Sequence, residues 1–275
     1  MSSPRWRRSR CGPQVPRSCW PSVQTGRRPA PRLPDVEQPP SLSAAFARRD
    51  RTPSSKGLST GTVPPTITGM ARDAITIVEA LGLSRIDLFG FSIGGMVAQE
   101  LTLIRPQLVR RLVLAGTGPR SGVLMHGWIN DVQALANVAD NHPEDLLSLF
   151  FEVTPTSQQK GREFLERRAS RTEDRDKPAG LQARDAQMDA ITEWGIPDPS
   201  QLARLAGITQ PVLIANGDND IMIPTPNSWL LARHLPNARV RIYPDSGHGF
   251  LWQWPEEFAA LVHSFLSGAG EEKAP

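Results

Sequence analysis

Apolar residues recur at Ile67, Met70, Ala71, Ala74, Ile75, Val78 and Leu81. That three-and-four spacing gathers side chains on one face of a helix, and Gly82 closes the run. A helix over residues 67–81 is therefore predicted. Ile86 to Phe89 forms a short apolar run between polar residues and Gly90, too short for a helix and suited to a buried parallel strand. A second helix is expected from Ile93 to about Ile104, stopped by Pro106, and Arg111 to Ala115 (RLVLA) reads as another buried strand. Between Gly116 and Ile208 the pattern is helical only, with amphipathic stretches near 128–140, 143–151, 157–170 and 179–194. The alternation then resumes with a strand at Val212 to Ala215, a helix at 226–234, a strand at Val240 to Tyr243 and a helix at 255–267. This rhythm predicts the α/β class, a mostly parallel sheet with flanking helices. Its core is split into residues 57–117 and 209–268 by a helical cap at 118–208.

Residues 1–56 follow a different rule. They show neither helical nor strand periodicity, and their longest apolar run is Ala44 to Ala47, so they are expected to be a disordered tail. An Arg-rich, Ser-rich start is also compatible with an organellar transit peptide. Eleven Arg and Lys56 against Asp35, Glu37 and Asp50 give residues 1–60 a charge of +9, leaving −6 of the net +3 for the rest. The basic character thus belongs to the tail, and without interleaved aromatic residues it is weak ground for nucleic-acid binding. Residues 269–275 read as a second short tail. The only cysteines, Cys11 and Cys19, lie in the first tail, which excludes a disulfide framework as the basis of the fold. No apolar stretch has the length of a membrane span or of a secretory leader core, so a cytoplasmic location without membrane contact is expected.

Gly90-Phe91-Ser92-Ile93-Gly94 fits G-x-S-x-G and falls where a predicted strand turns directly into a helix, the context that gives the motif meaning. Such a pentapeptide arises by chance in roughly one chain of this length in ten, but seldom on that corner. The glycines are expected because Cβ atoms at 90 and 94 would crowd a sharp strand-to-helix turn. Ser92 then stands at the start of a helix, where the Ile93 N–H and the positive end of the helix dipole face an oxyanion. The competing reading is a tight turn with a capping serine.

A serine hydroxyl needs a base to remove its proton. Of five histidines, His126 and His142 lie in the predicted cap and His234 and His263 within helices. His248 alone follows a strand, in Asp245-Ser246-Gly247-His248-Gly249-Phe250, where flanking glycines let the backbone carry the ring toward a cleft. Asp218 and Asp220, in the turn after the strand at 212–215, are both candidates to orient that base, and a turn needs one of them for its own hydrogen bonds.

The chain order Ser92, acid, His248, each just past a strand end, resembles the α/β-hydrolase superfamily from about residue 57 to 266, and more narrowly its esterase, enol-lactonase and cofactor-free haloperoxidase-like members. GFSIGG at 90–95 is similar to the family's nucleophile elbow, GDND at 217–220 to its acid loop and SGHGF at 246–250 to its histidine loop. The resemblance implies that Ser92 is the nucleophile, His248 the base and Asp220, not Asp218, the acid. It implies hydrolysis of a small ester, lactone or related carbonyl substrate through an acyl-enzyme, with no cofactor and no metal. Perhydrolysis and carbon–carbon bond hydrolysis are known from the same fold. Met125, Trp128, Phe150, Phe151 and Trp194 are candidates to line the substrate pocket, with plain core packing as the alternative.

The sequence departs from the family upstream, where four strands and a loop supplying a second oxyanion donor are expected. No histidine precedes His126, and residues 1–56 are read as a replaced or out-of-frame segment that leaves the early strands missing. N-terminal peptides of the native protein, identified by mass spectrometry, test that expectation. Losing one oxyanion donor lowers turnover by about 10²- to 10³-fold, so a catalytically impaired or inactive hydrolase-fold protein is the alternative reading. An unpaired strand edge at Ile86 to Phe89 would follow as well.

Overall fold

The computed structural model describes residues 61–127, 130–136, 142–170, 172 and 180–268. The readings made for residues 1–56 and 269–275 lie outside them. In chain order the main elements are α1 (Ile67–Ala80), β1 (Ile86–Phe91), α2 (Ile93–Ile104), β2 (Val109–Ala115), α3 (Asn130–Ala136), α4 (Pro143–Phe150), α5 (Pro155–Ser170), α6 (Leu181–Gly195), β3 (Val212–Gly217), α7 (Pro226–His234), β4 (Ala238–Tyr243), α8 (Phe250–Gln253) and α9 (Pro255–Ser267). Short 3₁₀ turns occupy Pro106–Leu108 and Pro199–Gly207.

Several helix starts have a local cause. Thr66 is extended and its hydroxyl accepts from the Gly69 N–H at 3.1 Å, satisfying one of the donors that the first turn of α1 leaves over. Proline stands at the first turn of α4, α7 and α9, where its missing N–H costs nothing.

Among the described residues the four strands form one parallel sheet in the order β1-β2-β3-β4. Successive residues of β2 and β3 point to opposite faces, and both faces are covered. Leu112, Leu114, Val212 and Ile214 pack with Ala71, Ile75 and Val78 of α1, Ala98 and Leu101 of α2 and Leu231 of α7. Val113, Ala115, Leu213 and Ala215 pack instead with Tyr243, Phe250 and the Phe258 and Phe265 of α9. A fully buried Leu, Ile or Phe contributes about 1.5–3 kcal/mol, so the two central strands, apolar on both faces, anchor the fold. The edges differ in kind. In β4, Arg239 and Arg241 face solvent while Val240 and Ile242 are half-buried; at the other end of the described sheet, β1 carries Phe89, 47% exposed.

Helices α3 to α6 all fall between β2 and β3 in the chain. A third apolar cluster of Ile67, Met96, Met125, Ala190, Trp194 and Ile223 joins this insert to the helices beneath. No helix among the described residues is long and apolar enough to cross a membrane.

Candidate active site

β1 runs into α2 with only Ser92 between them. Ser92 has φ 54° and ψ −125°, a conformation that costs a side-chain-bearing residue about 1–3 kcal/mol and persists only where the surroundings enforce it. They do so here. The Ser92 N–H donates to Ala115 O at the end of β2 at 2.9 Å. A Cβ on Gly90 would lie 2.3 Å from Gly94 O, and one on Gly95 2.5 Å from Thr117 Cγ2. The crowding expected at position 94 is not there, because a Cβ on Gly94 would meet nothing within 4 Å. What presses on Gly90 is the backbone of residue 94, so the tight fit lies at 90 and 95. Although Ser92 occupies the N-cap position, it makes no side-chain cap bond, which sets aside the capping reading. The Ile93 N–H opens α2 as a donor without an acceptor in its own helix.

The turn after β3 holds both acidic candidates, and the structure gives them different work. Asp220 is buried; its Oδ1 accepts from the Met222 and Ile223 N–H groups at 2.8 and 2.9 Å, and its Oδ2 lies 2.6 Å from His248 Nδ1. An ionised carboxylate can only accept, so across this contact the Nδ1–H is the donor, and in the neutral ring Nε2 is then the acceptor. Asp218 accepts from the Asp245 and Ser246 N–H groups at 3.1 and 3.0 Å and so holds the histidine loop by its backbone. The turn itself is pinned by Asn216, which donates to Ile223 O at 3.2 Å, and by the Thr225 hydroxyl, which donates to Gly217 O at 2.6 Å.

A Cβ at Gly217 would stand 2.1 Å from Ser246 O, a clash between two backbones that no side-chain rotation relieves. Gly217→Ala is therefore expected to lower stability by about 1–3 kcal/mol, as measured by denaturant unfolding; a wild-type midpoint would contradict this packing.

His248 is 1% exposed. Its ring packs on Phe91 at 4.7 Å and meets Phe150 nearly edge-on at 5.2 Å, between centroids. Gly116, with φ +52°, passes close enough that a Cβ there would lie 3.2 Å from Nδ1. Of the three predicted side chains, Asp220 and His248 are thus hydrogen-bonded, and the imidazole rests on Phe91, the residue beside Ser92. No hydrogen bond joins Ser92 Oγ to the ring among the described residues.

The other candidates divide. Phe150 touches the imidazole, and Phe151 packs on Phe164 at 5.8 Å. Met125 and Trp194 belong to the third apolar cluster, and the Trp194 N–H donates to Gly118 O at 3.3 Å; Trp128 lies outside the described residues. Sequence reasoning missed Trp252, which braces Phe91 at 5.2 Å and Phe150 at 5.6 Å. The aromatic run Phe250-Leu251-Trp252-Gln253-Trp254 behind the histidine loop was its signal. Among the described residues no three His, Cys, Asp or Glu side chains are grouped as a metal ion would require.

A strained serine thus stands between strand and helix, and a buried Asp–His pair packs on its neighbour Phe91. A sequence model of the alpha/beta hydrolase fold matches residues 48–255. The solved structure of an alpha/beta hydrolase fold protein from Chitinophaga pinensis is similar with a TM-score of 0.73 and 37% identity, covering 78% of this chain and 77% of that one. The 2-hydroxymuconate semialdehyde hydrolase of Pseudomonas putida is 29% identical over 71% of this chain and 67% of its own length. The poly(3-hydroxyalkanoate) depolymerase of Ectopseudomonas oleovorans is 28% identical over 78% and 72%. The first of these relatives is named a hydrolase and the second a depolymerase. This chain belongs to the alpha/beta hydrolase fold family.

Proposed function

We propose that this protein is a serine hydrolase that cleaves a small ester, lactone or related carbonyl compound through an acyl-enzyme on Ser92. The observation that carries the proposal is the 2.6 Å contact between Asp220 Oδ2 and His248 Nδ1. It fixes the tautomer in which Nε2 can accept a proton, beside the corner that presents Ser92. In the proposed cycle Nε2 takes the proton of Ser92 Oγ as the oxygen attacks the carbonyl carbon. The oxyanion forms near the Ile93 N–H, and the imidazolium returns its proton to the leaving alkoxide. Water, deprotonated by the same nitrogen, then attacks the acyl carbon; the acyl–oxygen bond breaks, the imidazolium returns the proton to Ser92 Oγ, and the acid product leaves. Asp220 stays ionised throughout and stabilises the imidazolium. Helices α3 to α6 act as a cap over this site, the substrate is a small molecule, no cofactor enters, and the setting is the cytoplasm.

A second reading, a hydrolase-fold protein that does not turn over substrate, is favoured by one observation, the lack of a hydrogen bond between Ser92 Oγ and the imidazole. Acid-quenching the protein during reaction with a short-chain p-nitrophenyl ester separates the two. One acyl group on the peptide carrying Ser92 is expected; ester turnover without that adduct would contradict the proposal, and absence of both turnover and adduct would favour the second reading.

A further inference from the structure

Two glycines flank His248, and the reason is not freedom alone. A Cβ on Gly247 or Gly249 would lie 2.9 or 2.8 Å from Phe150 O, so the end of α4 presses directly on the histidine loop. Three hydrogen bonds join the two segments. The Gly249 N–H donates to Phe150 O at 2.6 Å, the Thr154 hydroxyl to Asp245 Oδ1 at 2.7 Å and the Ser157 hydroxyl to Gln253 Oε1 at 2.8 Å. Gln253 in turn donates to Asp245 O at 2.6 Å, which closes the loop on itself. The helical insert is therefore latched to the loop that carries the imidazole.

The bond to Asp220 holds that ring at one atom. Its remaining freedom, a tilt about the Nδ1 contact, is closed by Phe91 at 4.7 Å and by the Phe150 ring at 5.2 Å and 70°. Trp252 packs on both of these phenyl rings. We infer that Phe150, delivered by the insert, is a positioning residue for the reaction: its ring and the latch around it keep the His248 imidazole aligned on Asp220 and aimed at Ser92. The inference rests on the catalytic role proposed for that pair. Loss of the ring would leave substrate binding largely intact and misalign the proton transfer, so the effect falls on kcat.

The test compares the full chain with Phe150→Leu, which keeps apolar bulk, Phe150→Tyr, which keeps the ring, and Phe164→Leu. Phe164 touches Phe151 and Trp252 and serves as the control for aromatic packing as such. Phe150→Leu is expected to lower kcat for a p-nitrophenyl ester by about 10- to 100-fold with KM within about threefold of wild type. It should also broaden or remove the low-field proton resonance of His248 Nδ1–H, while Phe150→Tyr and Phe164→Leu retain it. A wild-type resonance in Phe150→Leu, or an equal loss in Phe164→Leu, would overturn the inference. The resonance decides the matter even if the wild-type chain hydrolyses nothing, in which case the proposed function fails and the positioning role is judged separately.

Discussion

Replacing Ser92 with alanine is expected to lower ester turnover by about a millionfold, the scale on which a serine hydrolase loses rate with its nucleophile. The change removes one oxygen that makes no hydrogen bond within the described residues. The fold should scarcely notice it. Alanine must still adopt the φ of 54° at the corner, a strain that serine already bears, so the unfolding midpoint should stay close to wild type. Measured turnover and thermal unfolding together check this; a folded Ser92→Ala protein with wild-type kcat would remove Ser92 from the reaction.

Asp220→Asn is expected to cost about 10⁴-fold in kcat, and the reasoning is one of proton bookkeeping. The amide oxygen can replace Oδ1 and keep accepting from the Met222 and Ile223 N–H groups, so the turn survives. The amide NH₂ then faces His248 Nδ1 across the 2.6 Å contact and donates to it. Nδ1 becomes the acceptor, the ring proton moves to Nε2, and the base can no longer take the serine proton. Asp218→Asn should behave differently. It forfeits one of two backbone bonds to the histidine loop without altering the tautomer, and a smaller loss is expected. Equal losses in the two variants would show that loop support, and not tautomer control, is what Asp220 provides.

Much of this is legible in the sequence because a strand buried on both faces is written as an unbroken apolar run, LVLA in β2 and VLIA in β3. Ile93–Ile104 and Pro226–His234 also match their predicted spans. Strands β2 and β4 begin at Val109 and Ala238, two residues before the apolar pattern predicts. Arg110 and Arg239 interrupt the apolar pattern there: Arg239 lies on the wet face of the edge strand, and Arg110 pairs with Asp87 of β1 and donates to Leu266 O. β3 runs on to Gly217 because the amide of Asn216 satisfies itself on Gly217 N and Ile223 O, which lets a polar side chain sit in the core. Helix α5 begins at Pro155, ahead of the predicted 157, since the Thr154 hydroxyl accepts from the Ser157 N–H at 3.2 Å. That Thr-Pro start was a readable signal. The single turn of α8 is too short to show a period, and the 3₁₀ segment at Pro199–Gly207 repeats about every three residues, off the 3.6-residue spacing of an α-helix.

For the candidate site, the sequence offers residue types in a suggestive order and leaves Asp218 and Asp220 undivided until a family resemblance favours the latter. The structure shows why pattern alone could not decide. Both carboxylates bind backbone N–H groups, and only the direction of Oδ2 of Asp220 toward an imidazole 28 positions away tells them apart. The contact of Phe150 with that ring is equally tertiary, linking the end of one helix to a loop about a hundred residues later.

If the buried Asp220–His248 pair activates Ser92, that hydroxyl reacts as a nucleophile where an ordinary serine does not. Labelling of the full-length protein with a fluorophosphonate probe, followed by peptide mapping, reads this reactivity. One label per chain is expected, on Ser92, absent in Ser92→Ala and strongly slowed in His248→Ala. A label that persists in Ser92→Ala, or a folded wild-type chain that takes none, would contradict it.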